Sequence, residues 1–135
     1  MQISPVQVAG GKVSLRVDGE TVSIVGEIDQ MSPRDLMAGF LELVHTMALG
    51  EGLAEVKVDV TELSFLNSSG IKEFLSWILR RNRIAPEKKY RINFLFDPSV
   101  AWQPVTLPRL RDLDPGAIVL TAVTPPRQIA MQGVR

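Results

Sequence analysis

Asp59-Val60-Thr61-Glu62-Leu63-Ser64-Phe65-Leu66-Asn67-Ser68-Ser69-Gly70-Ile71 is the stretch on which the reading of this chain turns. Just before and into it, Val56, Val58 and Val60 alternate with Lys57 and Asp59, the two-residue period of a strand. Just after it, Ile71, Phe74, Leu75, Ile78 and Leu79 recur at three- and four-residue steps, the period of an amphipathic helix. Lys72, Glu73, Ser76 and Arg80 fall away from that apolar face, and Trp77 lies at its edge. The run therefore predicts a strand handing over to a helix at Asn67-Ser68-Ser69-Gly70, with a serine hydroxyl at the helix mouth. Two roles are open to that serine. Ser68 or Ser69 can be the N-cap, accepting a hydrogen bond from the first turn and contributing about 1 kcal/mol. Alternatively, the unpaired N–H groups and the helix dipole favour an anion, so a phosphate added there would be stabilised where it forms. One residue can do both.

Working outward, 6–9 and 13–17 read as strand, and Asp18-Gly19 turns the chain back into Val22 and Ile24, so 12–26 predicts a hairpin. Ser32, Pro33 and Asp35 then supply a cap, a helix-compatible first residue and an early carboxylate. Leu36, Met37, Phe40, Leu41, Val44, Met47 and Ala48 form one wide apolar stripe, and Gly50 and Gly52 supply the stop. C-terminal to the central stretch, Ile92 to Phe96 reads as strand and Asp97-Pro98-Ser99 as a turn. Pro104 and Pro108 each remove a backbone donor from 100–113, which predicts an irregular or late helix over 108–113. Pro115-Gly116 leads into a last strand at 117–123, and 125–135 reads as a tail. The expected order is strand, strand, helix, strand, helix, strand, helix, strand. That order implies one α/β domain over 1–124, a mixed, mostly parallel sheet with an N-terminal hairpin and helices packed against it.

Composition narrows the function classes. At 135 residues, 45% of them hydrophobic and 22% charged, the chain suits one soluble domain with its own core. No apolar run approaches a membrane span and no secretion signal opens the chain, so the expected location is the cytoplasm, with no membrane partner. The absence of cysteine excludes disulfides and thiol catalysis, and the single histidine, His45, reads as structural on a helix face. No metal or other cofactor is expected. Charge is uneven: 10 acidic and 4 basic side chains up to residue 67 give −6, and 5 acidic and 11 basic beyond it give +6. The densest basic run, Arg80, Arg81, Arg83, Lys88, Lys89 and Arg91, carries only Tyr90 as an interleaved aromatic. It reads as a solvated connector, with no direct nucleic-acid partner.

Element order and motifs together resemble the STAS domain family, whose bacterial members include the anti-sigma-factor antagonists of partner-switching systems. The resemblance rests on Gly26-Glu27-Ile28-Asp29 and on Asp59 through Ile71, and extends over about 12–123. It implies a non-enzymatic signalling protein, phosphorylated on the first serine of Ser-Ser-Gly by a serine kinase of anti-sigma type and restored by a PP2C-type phosphatase. Ser68 would then be the phosphoacceptor. Ser69 and Gly70 would shape its loop, Asp29 would lie on the kinase-facing surface, and Asn67 and Lys72 would complete the partner-binding set. Asn67 stands where phosphorylated members usually carry aspartate, keeping the hydrogen-bonding capacity and losing the charge. Lys72 replaces a residue that is usually small, placing a cation one turn into the helix, either to pair with a phosphate or to face solvent.

Two other functions stay open at this point. One is a constitutive interaction module of the same fold, in which Ser68 is only a cap. The other is an enzyme built on Glu27, Asp29, Asp59 and Glu62 as acid and base, for which no phosphate loop, metal-ligand spacing or nucleophile elbow is present.

Overall fold

The computed structural model describes residues 6–10, 13–28 and 33–123. The Ser32 cap, Asp29 and the 125–135 tail lie outside them. Chain order is β1 (Val6–Gly10), β2 (Val13–Asp18), β3 (Thr21–Ile28), α1 (Pro33–Glu51), β4 (Glu55–Asp59), β5 (Leu63–Leu66), α2 (Ser68–Asn82), a 3-10 turn at Pro86–Lys88, β6 (Arg91–Phe96), α3 (Gln103–Arg111) and β7 (Ile118–Ala122).

The strands form one sheet in the order β1-β2-β3-β4-β6-β7, with β5 also paired to β3. Pairings β1/β2 and β2/β3 are antiparallel, and those joining β3, β4, β5, β6 and β7 are parallel. The predicted hairpin is thus β2–β3. Its two-residue loop opens on Gly19 at φ 66°, the positive φ that a type II′ turn demands at its first central position. β4 is the central strand anticipated from Val56 and Val58.

Alternation sets the layers. Leu15, Ile24, Val58, Ile92 and Phe94 are fully buried on one face of the sheet, and Met37, Phe40, Leu41 and Val44 of α1, Phe74, Trp77 and Ile78 of α2, and Leu107 and Leu110 of α3 pack into the same core. The opposite face carries exposed Arg16 and Val25 and half-buried Ser23, Lys57 and Asn93. All three helices therefore cover one side. α1 stops at Gly52, φ 64°, where the Gly52 N–H donates to Leu49 C=O and the Leu53 N–H to Ala48 C=O, the paired bonds of a glycine C-cap.

Four expectations needed correction. β5 is a strand absent from the expected order, because its four residues do not alternate, Leu63 and Leu66 being buried and Ser64 and Phe65 exposed. A register shift at Gly26/Glu27 accommodates it beside β3. α3 starts at Gln103, five residues before the predicted start: Pro104 falls in the first turn, where its missing N–H has no intrahelical partner to lose, and only Pro108 interrupts the interior. On α2 the apolar face is rotated from the predicted stripe toward Trp77, which is buried as its edge position allowed, so Leu79 is 48% exposed and Arg81 is buried. Arg81 accordingly leaves the solvated basic connector for the interior. Among the described residues no helix is long and apolar enough to cross a membrane.

Candidate functional site

The junction between β5 and α2 is built from three backbone constraints and one side chain. β5 runs parallel to β3 with Leu66 opposite Ile28, and the Asn67 N–H continues the ladder by donating to Ile28 C=O at 2.9 Å. Asn67 keeps extended backbone angles, φ −80° and ψ 173°, while its C=O already accepts the Ile71 N–H at 3.1 Å. Its Oδ1 accepts the Gly70 N–H at 2.9 Å. Asn67 is therefore the N-cap, and neither Ser68 nor Ser69 is. The sequence offers three capping residues in a row, and the one that stops the strand ladder is the one whose backbone is still extended.

That assignment changes what Ser68 is for. Ser68 is the first helical residue and is exposed, and its hydroxyl has no part in the cap. Ser69, next in the helix, is half-buried. Gly70 is buried, and an added Cβ would overlap Leu66 Cδ1 and come within 3.1 Å of Ile28 Cγ2, so a larger residue would have to displace the Leu66 side chain. Lys72 is exposed one turn on from Ser68. The first turn of α2 contains no carboxylate, which leaves the positive end of the helix dipole uncompensated from within the turn. Of the residues singled out from sequence, the structure brings Asn67, Ser68, Ser69, Gly70 and Lys72 into one turn and the next. Asp29 follows Ile28, whose carbonyl binds Asn67, and itself lies outside the described residues.

The turn before β5 is equally tied. Asp59 Oδ1 accepts both the Thr61 N–H at 2.9 Å and the Thr61 hydroxyl at 2.6 Å, so this carboxylate is engaged in shaping a turn. Among the described residues, no three His, Asp or Glu side chains gather as a metal site would require.

The far end of α2 is of opposite character. Trp77 Nε1 donates to the Tyr90 hydroxyl at 2.8 Å, and that hydroxyl lies 2.6 Å from His45 Nδ1 on α1. Burial and the nearby Arg80 lower the His45 pKa, with Glu42 opposing, and burial pushes the Tyr90 phenol up to about 12. The phenol thus keeps its proton, and the Tyr90 hydroxyl and His45 Nδ1 share one hydrogen bond whose direction follows the imidazole tautomer. Arg81 Nε donates to Tyr90 C=O at 2.5 Å, and its Nη1 reaches Asn82 Oδ1 and, at 3.3 Å, Asp114 Oδ2. Tyr90 is fully buried and Arg91 lies 3.8 Å from Glu55, so the one aromatic of the basic run is not available for stacking on a base.

Sequence reasoning missed Arg81, Trp102 and Gln103. For Arg81 a signal existed, because Phe74, Trp77, Ile78 and Arg81 continue one helical face. For Gln103, fully buried beside Pro104, nothing in the local pattern marks it.

No family model matches the sequence, and no curated protein matches it. Among solved structures, an anti-sigma factor antagonist from Mycobacterium paratuberculosis is similar at TM-score 0.52 and 19% identity, over 98% of this chain and 93% of that one. SiaC of Pseudomonas aeruginosa is similar at TM-score 0.64 and 17% identity, over 90% of this chain and all of the other. At such identities the likeness is one of fold. The chain has the STAS-like fold of these proteins, a single α/β domain.

Proposed function

We propose that this chain is a cytoplasmic, non-enzymatic signalling protein of the anti-sigma-factor-antagonist kind, a domain over 1–124 with a short tail at 125–135. It binds a partner serine kinase through the start of α2 and is switched by phosphorylation at Ser68, with a PP2C-type phosphatase reversing the step. The observation that carries the reading is the division of labour between Asn67 and Ser68. Asn67 closes the helix, so the exposed Ser68 hydroxyl is not committed to the cap and lies at the positive end of α2. The fold shared with the antagonist from Mycobacterium paratuberculosis supports the same reading.

The physics of the switch is local. In the unmodified protein Asn67, Ser69 and Lys72, with Asp29, form the docking surface, and buried Gly70 shapes it from beneath. A phosphate on Ser68 adds about −1.5 to −2 charges. Lys72 and the helix N-terminus accommodate that charge while it faces water, but burying it against a partner surface that brings no cation of its own costs several kcal/mol. Inverting a 1:99 preference takes about 5.5 kcal/mol, so one phosphate is of the right order to release a partner without backbone rearrangement.

The test compares Ser68→Ala and Ser68→Asp for retention of the co-purifying serine kinase from the cells that make the protein. Retention by alanine and loss by aspartate is expected. Equal retention would contradict the switch and favour a constitutive interaction module of the same fold.

A further inference from the structure

Among the described residues β5 has a strand neighbour on one edge only, pairing with β3. A four-residue strand with one edge unpaired would fray, since its outward carbonyls need partners. For the first of these, Leu63 C=O, the partners are side chains at the start of α3, its N-cap Trp102 and first residue Gln103. Trp102 Nε1 donates to Leu63 C=O at 2.7 Å, and Gln103 Nε2 donates to the same carbonyl at 3.1 Å and to Val60 C=O at 2.5 Å. Gln103 Oε1 in turn accepts the Asp97 N–H at 2.7 Å, fixing the amide orientation and joining the end of β6 to the β4–β5 turn. Gln103 is fully buried, so its three bonds are shielded from water, and both amide donors and the amide oxygen are directed at backbone on either side.

We infer that Trp102 and Gln103 are positioning residues for the Ser68 acceptor turn, holding the entry of β5 at Val60 and Leu63 so that Asn67 and Ser68 are presented at a fixed place. The consequence for Ser68 rests on the phosphorylation reading above; the hold on β5 does not. β5 is gripped at its start by α3 and at its end by the Asn67-to-Ile28 bond, and Ser68 is the next residue on. Releasing the first grip loosens the second before it disturbs the hairpin at the other side of the sheet.

Trp102→Phe keeps a ring and removes the donor, and Gln103→Met keeps chain length and removes both donors. If Gln103→Met does not fold, Trp102→Phe alone decides the matter. Amide hydrogen exchange on the full chain is expected to quicken roughly fivefold at Asn67 and Gly70 in Trp102→Phe, the loss of one ordinary hydrogen bond, with Leu15 and Ile24 unchanged. Unchanged rates at Asn67 and Gly70, or equal acceleration at all four amides, would overturn the positioning role. In a second arm, the Ser68 phosphate content of Trp102→Phe from its own cells is compared with wild type at equal folded protein. A lower content supports positioning, and an equal content together with unaltered exchange refutes it. Wild type without phosphate at Ser68 would end the switch reading, and the exchange arm would still decide the role of Trp102 and Gln103.

Discussion

The two ends of α2 solve different problems with the same kind of residue. At the C-terminal end, polar groups are buried and used up: Arg81, Trp77, Tyr90 and His45 bind one another and the backbone, joining α1, α2 and the start of β6. At the N-terminal end, one polar side chain, Asn67, does the capping and the next, Ser68, stays exposed. A buried polar network is costly to break and so marks structure. An exposed hydroxyl at a positive helix end costs nothing to modify and so marks a place for regulation.

Substitutions at the two ends test this contrast directly. The largest effect belongs to Arg81→Met, which leaves Tyr90 C=O and Asp114 without their shared cation; a loss of about 2–4 kcal/mol is expected in urea unfolding. Tyr90→Phe strands the Trp77 and His45 nitrogens and should cost about 1–3 kcal/mol by the same measurement. The network also has a pH signature. His45 is held below its ordinary value of 6.5 in the folded state, so protons bind the unfolded chain preferentially. Its contribution is complete above 6.5 and is lost as pH falls through the depressed folded value, an acid sensitivity that His45→Gln should blunt.

At the other end the effects are smaller. Asn67→Ala removes the cap and is expected to cost about 1 kcal/mol. Ser68→Ala should change stability by less than about 0.5 kcal/mol, because no capping bond is lost. If the two values were exchanged, Ser68 would be the cap and its hydroxyl would already be employed.

How much of this was legible in the sequence follows from the range of the forces involved. The hairpin, α1, the central strand and the handover into α2 are written in short-range periodicity and turn chemistry, and they were read correctly. So was the position of Ser68 at a helix mouth. The choice of Asn67 over Ser68 as cap was not legible, because it depends on where the ladder to Ile28 ends, a contact between residues 39 apart in the chain. Arg81 and Gln103 escaped for the same reason: both are polar residues whose burial is justified only by backbone groups brought from other elements. Leu79 fits the sequence stripe better than Trp77, which lies at its edge, and only the packing of α1 against α2 buries Trp77 and leaves Leu79 exposed.

The central claim is that Ser68 is a phosphoacceptor, and its most direct test is phosphopeptide mapping by mass spectrometry of the protein isolated from its own cells, beside a phosphatase-treated control. The account predicts one phosphate, localised to Ser68 rather than Ser69 and removed by the phosphatase. Protein that stays unmodified at Ser68 across growth conditions would contradict it.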